Sequence, residues 1–317
     1  VHADAHGAAG LHPFQPRLAE HGVEPLGLGL RLDQGRAGGD QPGRARPAPA
    51  QHLGGGAQIL DPGIGAGADE DPVHLHLGQL LAGALAKVAD HPTRVICAGR
   101  TDTGVHGVGQ VVHFDTRSHR PEKGWVFGSN RNLPDSISVR WAKPVADDFH
   151  ARFSALSRAY RYVIYNHPVR PALGMQHLTW NYRPLDVALM QQAADVLVGE
   201  HDFSSFQAQG CQAKSPVRTI YHIKLRRHGH LIVMDIQANA FLQHMVRNIA
   251  GVLMAIGCGK EPLQWVNQVL DHRNRALGGV TAPPFGLFFM RVGYPEEFGI
   301  PEPERDIPFM PLADTLS

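Results

Sequence analysis

From Val1 to Ala86 the chain contains no Lys, Ser, Thr, Asn, Tyr, Trp, Cys or Met, and from Lys87 onward it contains all eight. That seam constrains the fold more than any motif. The first stretch is built mainly from Ala, Gly, Pro, His, Leu, Gln, Arg, Asp and Glu, with Phe14 as its one aromatic residue. Ordering a residue costs roughly 1–2 kcal/mol of backbone entropy, and so few large apolar side chains do not offset it. The packed core is therefore expected downstream. Residues 1–75 show no sustained helical or strand period, and three readings stay open for them: disorder, GC-rich DNA translated in a wrong frame, or a functional low-complexity arm. GIGAG at 63–67 lacks both a preceding β-run and the full spacing of a dinucleotide loop.

Charge divides at the same seam. The first 86 residues hold five arginines against nine acids, whereas residues 151–260 hold twelve basic residues against five acidic ones. A basic region of that kind suits a polyanion. Cys97, Cys211 and Cys258 are far apart and form no CxxC, which speaks against a disulfide framework and for a reducing compartment, the cytoplasm. No apolar run approaches the ~20 residues of a membrane span, and VHADAHGAAG lacks the pattern of a secretory signal. The histidines (His74 and His76; His222, His228 and His230) show no HxxxH with a helix and a supporting carboxylate, so no metal site is expected.

Periodicity predicts a helix over 76–90, strands over 94–98, 110–115 and 158–165, and a helix over 185–198 ending at Gly199. It further predicts a hairpin of 220–225 with 231–237, helices over 241–257 and 265–270, a strand over 286–292 and a surface tail over 295–317. Hairpins mixed with helices indicate an α+β fold.

Three places carry chemistry. In CAGRTDTGVH (97–106), one carboxylate, Asp102, sits in a Gly-rich turn two residues after Arg100, a cation able to keep it ionised; an arbitrary Asp in such a turn is more often a capping residue. Arg247 interrupts the apolar run FLQHMVRNIAGVLMAIG, so it requires an anionic partner, a structural ion pair, or a path to solvent. Tyr160 and Tyr162 share one strand face beside Arg158 and Arg161, a pattern that serves base stacking or an ordinary core. GxSxG, P-loop and HExxH are absent, and a lone aspartate replaces the carboxylate pair usual in glycosidic hydrolysis.

GRTDTGVH (99–106) followed by GQVVHFDT (109–116) resembles the signature of the tRNA pseudouridine synthase A family. FSALSRAYRYVIYN (153–166), GEHDFSSF (199–206), ANAFLQHMVRN (238–248) and PFGLFFMRVGYP (284–295) follow in the same order. The resemblance covers about residues 80–295. It implies an isomerase that converts uridines 38, 39 and 40 of the tRNA anticodon stem-loop to pseudouridine, without cofactor or metal, as a homodimer. Asp102 would be the nucleophile. Tyr160 would stack on the target base, Arg247 would pair with Asp102 and help expel the native base, Arg100 would lie beside the pocket, and Leu287 would line it. The implied fold is two α+β subdomains, each with an antiparallel sheet, around a basic cleft. In this sequence they would be 76–147 and 148–295, with an atypical segment at 1–75 and a tail at 296–317. The family's opening strand and RNA-contacting loop have no counterpart before Leu80, so the first strand is expected to be missing. The alternative is therefore a catalytically impaired RNA-binding relative.

Overall fold

The computed structural model describes residues 72–303 and residue 307, together with the backbone of a strand at 24–32. GIGAG and the remainder of the atypical segment, residues 1–23 and 33–71, lie outside the described residues. In chain order the elements are β1 (Glu24–Leu32), α1 (Pro72–Ala89), β2 (Ile96–Cys97), β3 (His106–Thr116), α2 (Glu122–Arg131), β4 (Ile137–Pro144), β5 (Ser157–Asn166) and β6 (Thr179–Asn181). They continue with α3 (Val187–Val196), β7 (Gly199–Asp202), β8 (Val217–His228), β9 (Leu231–Ala238), α4 (Met245–Gly257), α5 (Trp265–His272) and β10 (Leu287–Gly293).

The ten strands among the described residues belong to one sheet. The order is β4-β1-β3-β10-β5-β9-β8-β7, with β2 added to β3 and β6 to β5. Most pairs are antiparallel, but β10 runs parallel to β3 at Phe288↔His106 and Phe289↔Gly107, while pairing antiparallel with β5 on its other side. The expectation of two separate antiparallel sheets is thereby corrected to one mixed sheet. The long chain path from β3 to β10 permits the parallel pair, which a tight hairpin could not. Gly109 lets the seam close, because a Cβ there would lie 2.1 Å from the carbonyl oxygen of Met290.

A second correction concerns the N-terminus. Glu24–Leu32 fills the place where the first strand was expected to be missing, pairing antiparallel with β3 (Leu28↔Val112) and with β4 (Leu28↔Ala142). The residues alternate as Leu26-Gly27-Leu28-Gly29-Leu30-Arg31-Leu32, a period of two. Between β3 and β4 such a strand satisfies two rows of backbone groups that would otherwise lack partners.

Hydrophobic clusters form around each half of the sheet. Leu77, Leu81 and Leu85, four apart on α1, pack with Val112 and Phe114 of β3, Trp125 of α2 and Val139 of β4. The period of four puts the three leucines on one helix face. Gly128 brings α2 against α1, since a Cβ there would meet Val88 at 2.9 Å. In the other half, Met190 of α3, Val246, Ile249 and Leu253 of α4 and Val266 of α5 pack against Tyr162, Ile223 and Met234. The tail is not wholly a surface extension: Ile307 is 1% exposed, packed with Val163, Leu178 and Phe288. An isoleucine in contact with apolar strands is stabilised by leaving water.

Candidate active site

Asp102 lies in the connection from β2 to β3. The amide of Ala98 donates to Val111 O at 2.8 Å, holding the connection to the sheet. Gln110, 1% exposed, then clamps Gly99: its Oε1 accepts from the Gly99 amide (3.3 Å) and its Nε2 donates to the Gly99 carbonyl (2.8 Å). The turn itself closes through Val105 N donating to Asp102 O at 3.0 Å, with Gly104 at φ +83°. A positive φ two residues into a turn is what glycine supplies without steric cost. A side chain at 104 would also press on Pro284 and Phe285 at 3.1 Å.

The carboxylate meets the start of α4. Arg247 Nη1 donates to Asp102 Oδ2 at 2.9 Å, and His244 Nε2 lies 3.2 Å from the same oxygen. The Arg247 side chain is 14% exposed and that of Asp102 25%. Arg247 is held from behind, as its Nε donates to Ala282 O at 2.8 Å and Ala282 N donates to Arg247 O at 3.1 Å. The helix begins at Met245 rather than Phe241, because His244 adopts a left-handed conformation (φ 60°). That break places both side chains beside Asp102, at a helix N-terminus that itself favours an anion. Burial pushes the Asp102 carboxyl up, but the hydrogen bonds and charges of His244 and Arg247 outweigh it and hold the group below the usual carboxylate value. Both side chains engage Oδ2, and among the described residues Oδ1 has no hydrogen-bond partner.

Tyr160, on β5, stacks on Phe289 (ring centroids 4.9 Å apart, 26° between planes) and meets Phe241 edge to face at 5.1 Å. Burial raises its phenol well above the ordinary value, and the negative charge of Asp102 adds to the rise. It therefore keeps its proton at neutral pH. Tyr162, two residues on, is a core residue whose hydroxyl donates to Pro283 O at 2.8 Å and meets Thr179 Oγ1 at 2.6 Å. Of the five residues singled out in the sequence, Asp102, Arg247 and Tyr160 are thus brought together. Arg100 is exposed and is not among the partners of Asp102, so the cation that keeps the carboxylate ionised is not the neighbour in sequence. Leu287 is buried in the core with Tyr162 and Met245. His244 and Gln110 were not anticipated. Both lie inside the quoted motifs, but a left-handed residue before a helix and a side-chain clamp on a glycine leave no periodic signal.

Among the described residues no group of three or more His, Cys, Asp or Glu side chains is placed to hold a metal ion, and no helix is long and apolar enough to cross a membrane.

A family described as tRNA pseudouridine synthase matches residues 69–154 and 193–295. Both segments carry site residues, Arg100 and Asp102 in the first and His244, Arg247 and Leu287 in the second, while Tyr160 lies between them. The chain is 60% identical over 224 residues to tRNA pseudouridine synthase A of Pseudomonas aeruginosa, a match spanning 71% of this chain and 79% of that relative. The protein of the same name from Alcanivorax borkumensis is 57% identical over 224 residues, spanning 71% and 84%. That from Coxiella burnetii is 55% identical over 218 residues, spanning 69% and 84%.

Proposed function

The chain belongs to the tRNA pseudouridine synthase family and its activity is that of tRNA pseudouridine synthase A; we propose that it acts on uridines 38, 39 and 40 of the anticodon arm, with Asp102 as its nucleophile. The reaction is an isomerisation. The bond from uracil N1 to ribose C1′ breaks, the base turns, C5 bonds to C1′, and the proton on C5 is exchanged for one on N1. Atoms and electrons balance within the nucleotide, so the chemistry calls for no cofactor.

The observation that carries this reading is the one-sided grip on Asp102. Arg247 and His244 hold Oδ2, which keeps the group ionised and fixes its direction, and Oδ1 is left for the substrate. An ionised, oriented carboxylate is what a covalent route needs. The target base has to leave its stack, at a cost of a few kcal/mol. Stacking on Tyr160 offsets part of that cost. Because Tyr160 keeps its proton, it serves as a stacking surface or proton donor and not as a base in the resting site.

We read the enzyme as two halves, 76–147 and 148–295, with the site at their junction; the distinct hydrophobic clusters support this division. It works as a homodimer, so that one tRNA touches both subunits, and it works in the cytoplasm, where its substrate is. The impaired-relative alternative loses one support, since the place of the first strand is occupied by β1.

The test is pseudouridine formation in an unmodified tRNA transcript, mapped by position, with Asp102→Asn alongside. Product at 38–40 that vanishes in Asp102→Asn is expected. Product surviving in that variant overturns the role of Asp102, and product elsewhere overturns the assignment of positions.

A further inference from the structure

Near Tyr160, Arg152, Arg158 and Arg218 lie in one another's fields, and among the described residues none of the three pairs with a carboxylate. Arg158, two residues before Tyr160 on β5, donates through Nη2 to Arg152 O (2.7 Å) and Ala98 O (3.5 Å), and through Nη1 to Asn239 O (3.1 Å) and Ala155 O (3.4 Å). One side chain thereby ties the loop before β5 to the connection that leads to Asp102 and to the end of β9. Arg218 donates to Ser215 O and Val217 O, and its buried Nε has no partner among the described residues. The Arg152 side chain is exposed, with its guanidinium 5.7 Å from the centroid of the Phe153 ring. Arg158 lies within the field of Arg152, and Arg218 within that of Arg158. The hydrogen-bond acceptors around Arg158 and Arg218 are all carbonyl oxygens. Like charges gathered without a counter-ion repel one another, and an arriving anion relieves them.

Phe153, beside Arg152, is 76% exposed. It is not a loose side chain. His150 stacks on its ring (centroids 4.3 Å apart, 29°), and His150 Nδ1 accepts from the amides of Arg152 (3.2 Å) and Phe153 (3.1 Å). The His150 amide donates to Ser154 Oγ at 2.9 Å, and Tyr294 donates to Ala151 O at 2.6 Å. The loop is therefore tied at several points with an aromatic face turned to solvent. An exposed aromatic on a rigid backbone, among cations lacking acids, fits one kind of partner: an unpaired nucleotide, which offers a flat base and a phosphate together.

We propose that Phe153 is a stacking platform for an unpaired nucleobase adjoining the target uridine, with Arg152 taking a neighbouring phosphate in the field of Arg158 and Arg218. The proposal rests on the reading of tRNA as substrate and adds a subsite to it, beyond Asp102, Tyr160 and Arg247. The platform holds one base of the loop while another is turned toward Asp102.

The experiment measures binding apart from turnover. The full chain is titrated with an unmodified anticodon stem-loop transcript at several salt concentrations, and pseudouridine is assayed separately. Phe153→Ala is expected to weaken binding about tenfold, in keeping with the loss of one stacked base. Phe153→Trp is expected to keep the affinity within about threefold, and its added emission is expected to be quenched as RNA binds. Arg152→Gln is expected to lower the slope of log K against log salt by about 0.7, one phosphate on a single strand. Wild-type affinity in Phe153→Ala, or unchanged emission in Phe153→Trp, overturns the platform. A Phe153→Ala chain that changes its oligomeric state in sedimentation, with RNA affinity intact, also overturns it, in favour of contact with a second copy. The expected binding results support the platform even where wild type forms no pseudouridine, an outcome that counts against the reaction and not against this surface.

Discussion

Arg247 and Ala282 bond to each other twice, once through the Arg247 side chain and once through its backbone carbonyl. The reciprocal pair leaves the guanidinium one orientation, with Nη1 aimed at Asp102. Ala282 is itself anchored by its neighbours: Thr281 Oγ1 donates to Asn248 Oδ1 at 2.7 Å, and Arg275 Nη2 donates to both, at 2.7 Å and 3.1 Å.

Arg247→Lys therefore removes more than it appears to. Lysine keeps the charge but cannot donate to Ala282 and Asp102 in one fixed plane. Losing a hydrogen bond to a charged group costs about 1.5–3 kcal/mol, so kcat should fall roughly 10- to 100-fold. Single-turnover rates on the transcript check this, and a kcat within twofold of wild type would show that orientation is not what Arg247 supplies.

The pH dependence follows from the direction of the Asp102 shift. Its folded-state value is below the unfolded one, so the ionised group stabilises the fold above about pH 4, and that contribution is lost as pH falls through the folded value. His244→Gln removes one of the two influences that lower it. The acid limb of kcat/KM should move up toward the ordinary carboxylate range in that variant, and superimposable profiles would sink the assignment.

Gly109→Ala tests the seam. A methyl group 2.1 Å from a backbone carbonyl cannot be relieved by a rotamer change and forces β3 from β10. Overpacking of this kind costs about 1–3 kcal/mol or more, and at about 2–4 °C per kcal/mol the melting temperature should drop by roughly 5 °C or more. Calorimetry of the purified variant decides it, and an unchanged Tm means that the two strands do not approach as described.

Tyr160→Phe separates ring from hydroxyl. The stack on Phe289 and the edge contact with Phe241 survive the change. RNA affinity should stay within about twofold, while Tyr160→Ala should lose about tenfold by giving up one aromatic platform. Equal losses in the two variants would move the contribution from ring to hydroxyl.

Most of the candidate site is readable in the chain because chemistry there is local: GRTDTGVH carries Asp102, RAYRY carries Tyr160 and HMVRN carries Arg247 together with His244. What escaped was geometry set by distant residues. The partners of Asp102 come from the residue before α4 and from its first turn, 142 and 145 positions away, and the exposed Arg100 shows that sequence proximity is a poor guide to pairing. Helix α2 escaped because Gly124 and Gly128 depress its propensity, yet Gly128 is the position that lets it touch α1. Strand β1 is hidden because glycine is depleted in strands, so its alternation with leucine reads as low complexity. Strand β4, with Ile137, Val139 and Ala142 buried, required its neighbours before its short pattern had meaning.

The placement of β10 has a temporal consequence. This strand, formed by residues 287–293, lies between β3 and β5 and is the sole bridge joining the described halves of the sheet. On the ribosome, β3 and β5 emerge long before the strand that separates them, and each waits with an unpaired edge. The sheet, and with it the meeting of Asp102 and Arg247, is completed only when almost the whole chain has been made. Such non-local closure is slow and exposes strand edges meanwhile. A chain cut short before Leu287 would hold Asp102, Tyr160, His244 and Arg247 and no assembled catalyst.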